Sequence, residues 1–171
     1  MAEGPREAEC PTREWQAERF ADCQFTHLVP AAKWGFFTGR VRPLADKAAA
    51  AVWDALFAGV GRPFHYKLAA GWMGQVFRRV RSKPSDVRGG QSVDEALVGT
   101  LGWAADAAAY LVFPGREVYA AGWAGLLDCF RRGWVPLDTL VVCGEASDRV
   151  ALFWEGFGPY FAHRGERALR G

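Results

Sequence analysis

The stretch Asp138 to Arg164, DTLVVCGEASDRVALFWEGFGPYFAHR, constrains the fold more than any other part of the chain. Leu140-Val141-Val142-Cys143 is apolar and rich in β-branched residues. Gly144 to Asp148 has turn chemistry, and Val150 to Trp154 is apolar again. Two such runs joined by a short Gly-bearing polar loop read as an antiparallel hairpin. Gly156-Phe157-Gly158-Pro159 is a second turn, from which Tyr160 to His163 returns as a shorter third strand. Pro159 lacks an N–H and suits the start of an edge strand.

Strand alternation assigns the faces. Val150, Leu152 and Trp154 share one side, and Arg149, Ala151, Phe153 and Glu155 share the other. Tyr160 pairs with Ala162, and Phe161 with His163. Neither side is cleanly polar. The sheet is therefore expected to be covered by helices on one face and partly covered on the other.

The segments before the hairpin read as helices. Pro43 to Ala58 places Leu44, Ala48, Val52, Ala55 and Leu56 on one stripe. Phe64 to Arg81 repeats Leu68, Trp72, Val76 and Val80 at every fourth position. Ser92 and Glu95 form a capping box at the start of a third helix, which the Ala-rich pattern carries to Val112. Glu117 to Arg132 reads as a fourth, closed by Gly133. A rival reading makes 110–113 and 118–120 a hairpin around Pro114-Gly115. A short helix from Thr12 would bring the helices to five, and Lys33 to Val41 is a short strand or an aromatic-bearing loop. The expected fold class is α+β: four to five helices packed on a small C-terminal antiparallel sheet of three strands, or five under the rival reading.

At 171 residues the chain suits one domain, here 13–164, between a charged lead (1–12) and a solvated tail (165–171). A chain of this size buries roughly two-thirds of its unfolded surface. The N-terminus lacks the apolar core of a signal peptide. No run of about 18 apolar residues exists, so no membrane span is expected. A cytoplasmic location follows, with the four Cys as reduced thiols. The chain has no Ile, no Asn, and four Lys against seventeen Arg. That bias fits a GC-rich bacterial genome and removes the Arg excess as an argument for nucleic-acid binding. The net charge of +2 argues the same way.

Chemistry-bearing motifs are sparse. Cys10, Cys23 and His27 lack a paired-ligand spacing, so no metal is expected. No Walker, Rossmann or G-x-S-x-G pattern occurs, and no cofactor is expected. Cys143, Glu155 and His163 are the candidates for nucleophile, carboxylate and base if the chain is a small hydrolase or transferase. Arg78, Arg79, Arg81 and Lys83, with Arg88 beyond, are the residues a nucleic-acid-associated accessory protein would use.

The leading expectation is a non-enzymatic domain that binds another protein through an aromatic sheet edge. Phe153, Glu155, Phe157, Tyr160 and His163 are its candidate contact residues. From Trp123 onward, a Trp-bearing helix to Phe130, a Trp-containing link and a hairpin ending in an aromatic-plus-Arg segment are similar to small bacterial proteins that include immunity-type inhibitors. That resemblance implies an inhibitor or accessory subunit that works by binding.

Overall fold

A computed structural model describes residues 25, 27–57, 71–80, 90–114, 117–146, 148–154 and 156–164. The expected lead, the helix from Thr12 and the tail lie outside these residues. So does most of the polar loop 82–91. The chain is α+β, with strands mostly in its C-terminal half.

Among the described residues six strands form one antiparallel sheet: β1 (Val41–Pro43), β2 (Ala108–Phe113), β3 (Glu117–Gly122), β4 (Thr139–Gly144), β5 (Arg149–Trp154) and β6 (Phe157–His163). Their order is β1-β3-β2-β4-β5-β6, so β1 and β6 are the edges. The hairpin of β4 and β5 stands where the sequence places it, with Val141 opposite Leu152 and Cys143 opposite Val150. Strand β6 begins three residues earlier than expected and contains Pro159, an arrangement open to an edge strand.

Among the described residues five helices flank the sheet: α1 (Trp34–Thr38), after a 3-10 turn at Ala31–Lys33, then α2 (Asp46–Phe57), α3 (Gly71–Val80), α4 (Val93–Leu101) and α5 (Trp123–Arg131). Both faces of the sheet are covered. On the first face Ala109, Leu111, Phe113, Leu140, Val142 and Phe153 pack with Phe37 of α1, Leu97 of α4 and Trp123 and Leu126 of α5. On the second, Tyr110, Val112, Val141, Cys143, Leu152 and Tyr160 pack with Trp53, Leu56 and Phe57 of α2 and Met73 and Val76 of α3. Each large side chain so buried contributes about 1.5–3 kcal/mol.

The two-sided cover explains where the sequence reading errs. A strand buried on both faces has no polar alternation. Residues 109–113 are uniformly apolar and therefore fit a helix stripe as well as a strand. The helix expected to reach Val112 stops at Leu101, because Gly102 adopts a left-handed conformation (φ 61°) and its N–H caps the Val98 carbonyl. The helix expected from Glu117 starts only at Trp123. Residues 117–122 are β3, paired with β2 from Ala108–Gly122 to Phe113–Glu117. The rival hairpin reading is the observed one.

In α2 the buried line is Ala49, Trp53, Leu56 and Phe57; of the expected stripe Leu44 and Leu56 are buried, whereas Ala48, Val52 and Ala55 are only partly so. Burying Trp53, stacked on Phe57 at 4.3 Å, outweighs burying small residues. Pro43 belongs to β1, and the α2 helix begins at Asp46. The aromatic segment 33–41 is neither strand nor loop for most of its length; it is helix α1.

Candidate partner-binding surface

The β5–β6 hairpin tip is built by glycine geometry. Gly156 and Gly158 have φ of 80° and 126°, and the Gly158–Pro159 peptide is cis. A Cβ on Gly158 would lie 2.7 Å from the Leu152 carbonyl oxygen and 3.2 Å from Phe153 Cα. Only glycine admits that approach. The pairing slips between Leu152 and Trp154, so that Trp154 faces Phe157 across the turn. The Gly156 N–H donates to the Asp138 carbonyl at 3.3 Å and ties the tip to the segment entering β4. Phe157 stands on this tip with 66% of its surface exposed.

The expected contact residues do not form one face. Phe153 is buried in the first core, its ring stacked on Phe130 at 5.9 Å. Tyr160 is buried in the second core. His163 is half-exposed at the far end of β6, opposite Arg149. Six residue steps separate it from Phe157, a span of roughly 20 Å. Glu155 lies outside the described residues. Of the described members, Phe157 is the one whose ring is largely open to solvent.

The candidate catalytic residues do not converge either. Cys143 is fully buried in the second core, on the side of the sheet that carries Val150 and Ala162. His163 follows Ala162, so alternation puts it on the other side with Phe161, which packs against the first core. His163 Nε2 is 3.8 Å from an Asp148 carboxylate oxygen. It borders an open cleft of about 390 Å³ lined also by Thr100, Leu101, Arg149 and Phe161. Arg149 donates there to the Leu101 carbonyl at 3.2 Å, closing the end of α4. Cys143 is absent from that lining.

The remaining described thiol, Cys129 of α5, is also buried. Burial pushes its pKa up to about 11, the nearby Asp128 carboxylate adds to the rise, and Arg40 and Arg132 oppose it. Such a thiol is a weak nucleophile at neutral pH. No group of three or more His, Cys, Asp or Glu among the described residues is placed to hold a metal. Cys10 and Cys23 lie outside them. No described helix is long and apolar enough to cross a membrane. Of the basic run, the side chains of Arg78 and Arg79 and all of Arg81, Lys83 and Arg88 lie outside the described residues.

One cluster escaped the sequence reading. Helix α1 presents Phe36, 37% exposed, and the guanidinium carbon of Arg40 sits 3.4 Å from its ring centroid. The Arg132 guanidinium, just past α5, lies 5.2 Å from the same ring and 5.0 Å from the Trp134 ring. Phe36 and Trp134 meet edge to face at 6.0 Å. The Arg40 stem packs along Gly125 of α5. The signals were present in sequence as Phe36 and Arg40 four residues apart and Arg132-Gly133-Trp134 at a helix end. Reading 33–41 as strand or loop hid the first of them.

No protein-family model, curated protein or solved structure matches this chain.

Proposed function

We propose that this chain is a non-enzymatic interaction domain, an inhibitor or accessory subunit of immunity type, that binds another protein through its β5–β6 hairpin. Phe157 is the anchor. The observation that carries this reading is a large aromatic ring left in solvent on a turn whose backbone only glycine can adopt. Aromatic anchors on pre-organised supports concentrate binding energy, because little conformational freedom is lost on association. The separation of buried Cys143 from His163 by the sheet supports a binding role over hydrolase or transferase chemistry.

The test is native mass spectrometry of the protein purified from its own host, as the parent and as Phe157→Ser. A stoichiometric second chain bound to the parent and lost from the variant is the expected result. Equal retention by both overturns the hairpin as the contact. A bare chain carrying a small-molecule mass favours the cleft beside His163 and a ligand-binding or enzymatic role.

A further inference from the structure

We infer that the face made by Phe36, Arg40 and Arg132, backed by the buried Trp134, is a second protein-binding surface, whose occupant is a segment carrying carboxylates beside an apolar side chain. It goes beyond the hairpin reading and shares no residue with it.

The inference starts from the arrangement of the two guanidiniums. Both lie against aromatic rings, Arg40 at 3.4 Å from Phe36 and Arg132 within 5.2 Å of Phe36 and 5.0 Å of Trp134. Stacking of this kind holds the planar head of an arginine in place and leaves its N–H edge for hydrogen bonding. Arg40 donates from one terminal nitrogen to the Phe36 carbonyl at 3.3 Å. Arg132 donates from Nε to Asp128 at 2.9 Å. Each guanidinium has further donors beyond these. The stems are already ordered, so an incoming carboxylate meets a fork that loses little freedom on binding.

The chemistry of the occupant follows from charge and exposure. The Arg132–Asp128 pair shows that this spot accepts a carboxylate in hydrogen-bond geometry. That pair is exposed and one helical turn apart, so it is a weak internal contact rather than a fixed structural element. Phe36 is among the few large apolar side chains exposed in the described residues, and it gives the occupant an apolar contact between the charges. A nucleic acid fits less well. Asp94 and Asp128, paired with Arg131 and Arg132 at 2.7 and 2.9 Å, interrupt the positive surface, which leaves a short cationic patch around Phe36 rather than a track for successive phosphates.

Fluorescence anisotropy on the full chain at low salt tests this, with three labelled probes: a peptide of alternating Glu and Leu, its counterpart with Lys for Glu, and an oligouridine RNA. The Glu–Leu peptide is expected to bind and the Lys–Leu peptide not to. The double change Arg40→Glu with Arg132→Glu weakens the Glu–Leu peptide at least about tenfold and admits the Lys–Leu peptide. Phe36→Ala weakens the Glu–Leu peptide without admitting the Lys–Leu one. Phe157→Ser leaves all three unchanged, which separates this surface from the hairpin. Should charge reversal unfold the chain by circular dichroism, the Arg40→Gln and Arg132→Gln pair replaces it and must still weaken the Glu–Leu peptide. Absence of Glu–Leu binding, equal binding of both peptides, or RNA binding tighter than the Glu–Leu peptide and lost with the same arginines overturns the inference.

Discussion

Phe153 and Tyr160 lie on neighbouring strands of one hairpin and point to opposite faces of the sheet. Phe153 sits in the core beneath α5, against Phe130, while Tyr160, opposite Leu152, sits in the core beneath α2 and α3. Two aromatics that the sequence offers as candidate contacts of one sheet edge therefore belong to two separate interiors.

This relationship separates stability from recognition along the hairpin. Phe153→Ala removes a ring buried to 1% exposure and should lower stability by about 3–5 kcal/mol. Phe157→Ala removes a ring that is mostly in solvent and should stay within about 0.5 kcal/mol of the parent. Urea unfolding followed by tryptophan fluorescence measures both. A loss at Phe157 comparable to that at Phe153 would show that Phe157 is a packing residue.

What was legible in the sequence follows from how each signal is encoded. The Ser92–Glu95 capping box is local chemistry, and both of its hydrogen bonds are present, at 3.4 and 3.1 Å. The β4–β5 pairing and its alternation were readable because a hairpin is closed by its own turn. Strands β2 and β3 were ambiguous because burial on both faces erases the period-2 pattern that marks a strand. The candidate surface was legible only in part. Exposure of Phe157 and burial of Tyr160 are set by which helices cover each face, and no residue near them encodes that. The Phe36–Arg132 contact joins distant segments and has no local signature at all.

Gly158 should be the least replaceable glycine of the hairpin. Gly158→Ala drives a Cβ to 2.7 Å from the Leu152 carbonyl oxygen in a backbone conformation that L-residues avoid. Backbone strain of this kind costs on the order of 1–3 kcal/mol, and the steric overlap adds to it. Gly156→Ala meets nothing within 4 Å and bears only the cost of its positive φ. Gly158→Ala should therefore have the lower thermal midpoint of the two. It should also perturb the amide resonances of Leu152 to Tyr160 more widely. Equal midpoints would mean that the turn relaxes freely.

Asp94 ties α4 to α5 through Arg131 at 2.7 Å, across helices far apart in sequence. The Arg131 hydrogen bond, and then that of Ser92, hold its carboxyl below the usual carboxylate range. A carboxylate with a lowered folded-state pKa adds stability above its unfolded pKa of about 3.9 and loses it as pH falls through the folded value. Asp94→Asn should thus cost about 0.2–1 kcal/mol near neutral pH, the range of exposed pairs. The gap to the parent should close in acid. Urea midpoints of both proteins between neutral pH and the acid limit test this. A gap that stays constant with pH would remove the electrostatic explanation.

Cys129 should make the fold sensitive to alkali. Its thiol is raised to about 11 by burial, with a further push from Asp128, whereas an unfolded thiol titrates near about 8.5. The folded state therefore holds a proton that the unfolded state gives up in this window. The Cys129 contribution is complete below the unfolded pKa and is lost as pH rises through the folded value. Cys129→Ala would confound this with a cavity, so Cys129→Ser is compared at several pH values. The serine variant should be the less stable at pH 7, because it buries a hydroxyl in place of the thiol. Its deficit should shrink as pH rises past 9. Site-resolved alkylation gives a second readout. At pH 8 the native chain should leave Cys129 and Cys143 unmodified, because both are buried, while the urea-unfolded chain reacts at both. Rapid labelling of native Cys129 would show that the face of α5 around it opens on the timescale of the reaction.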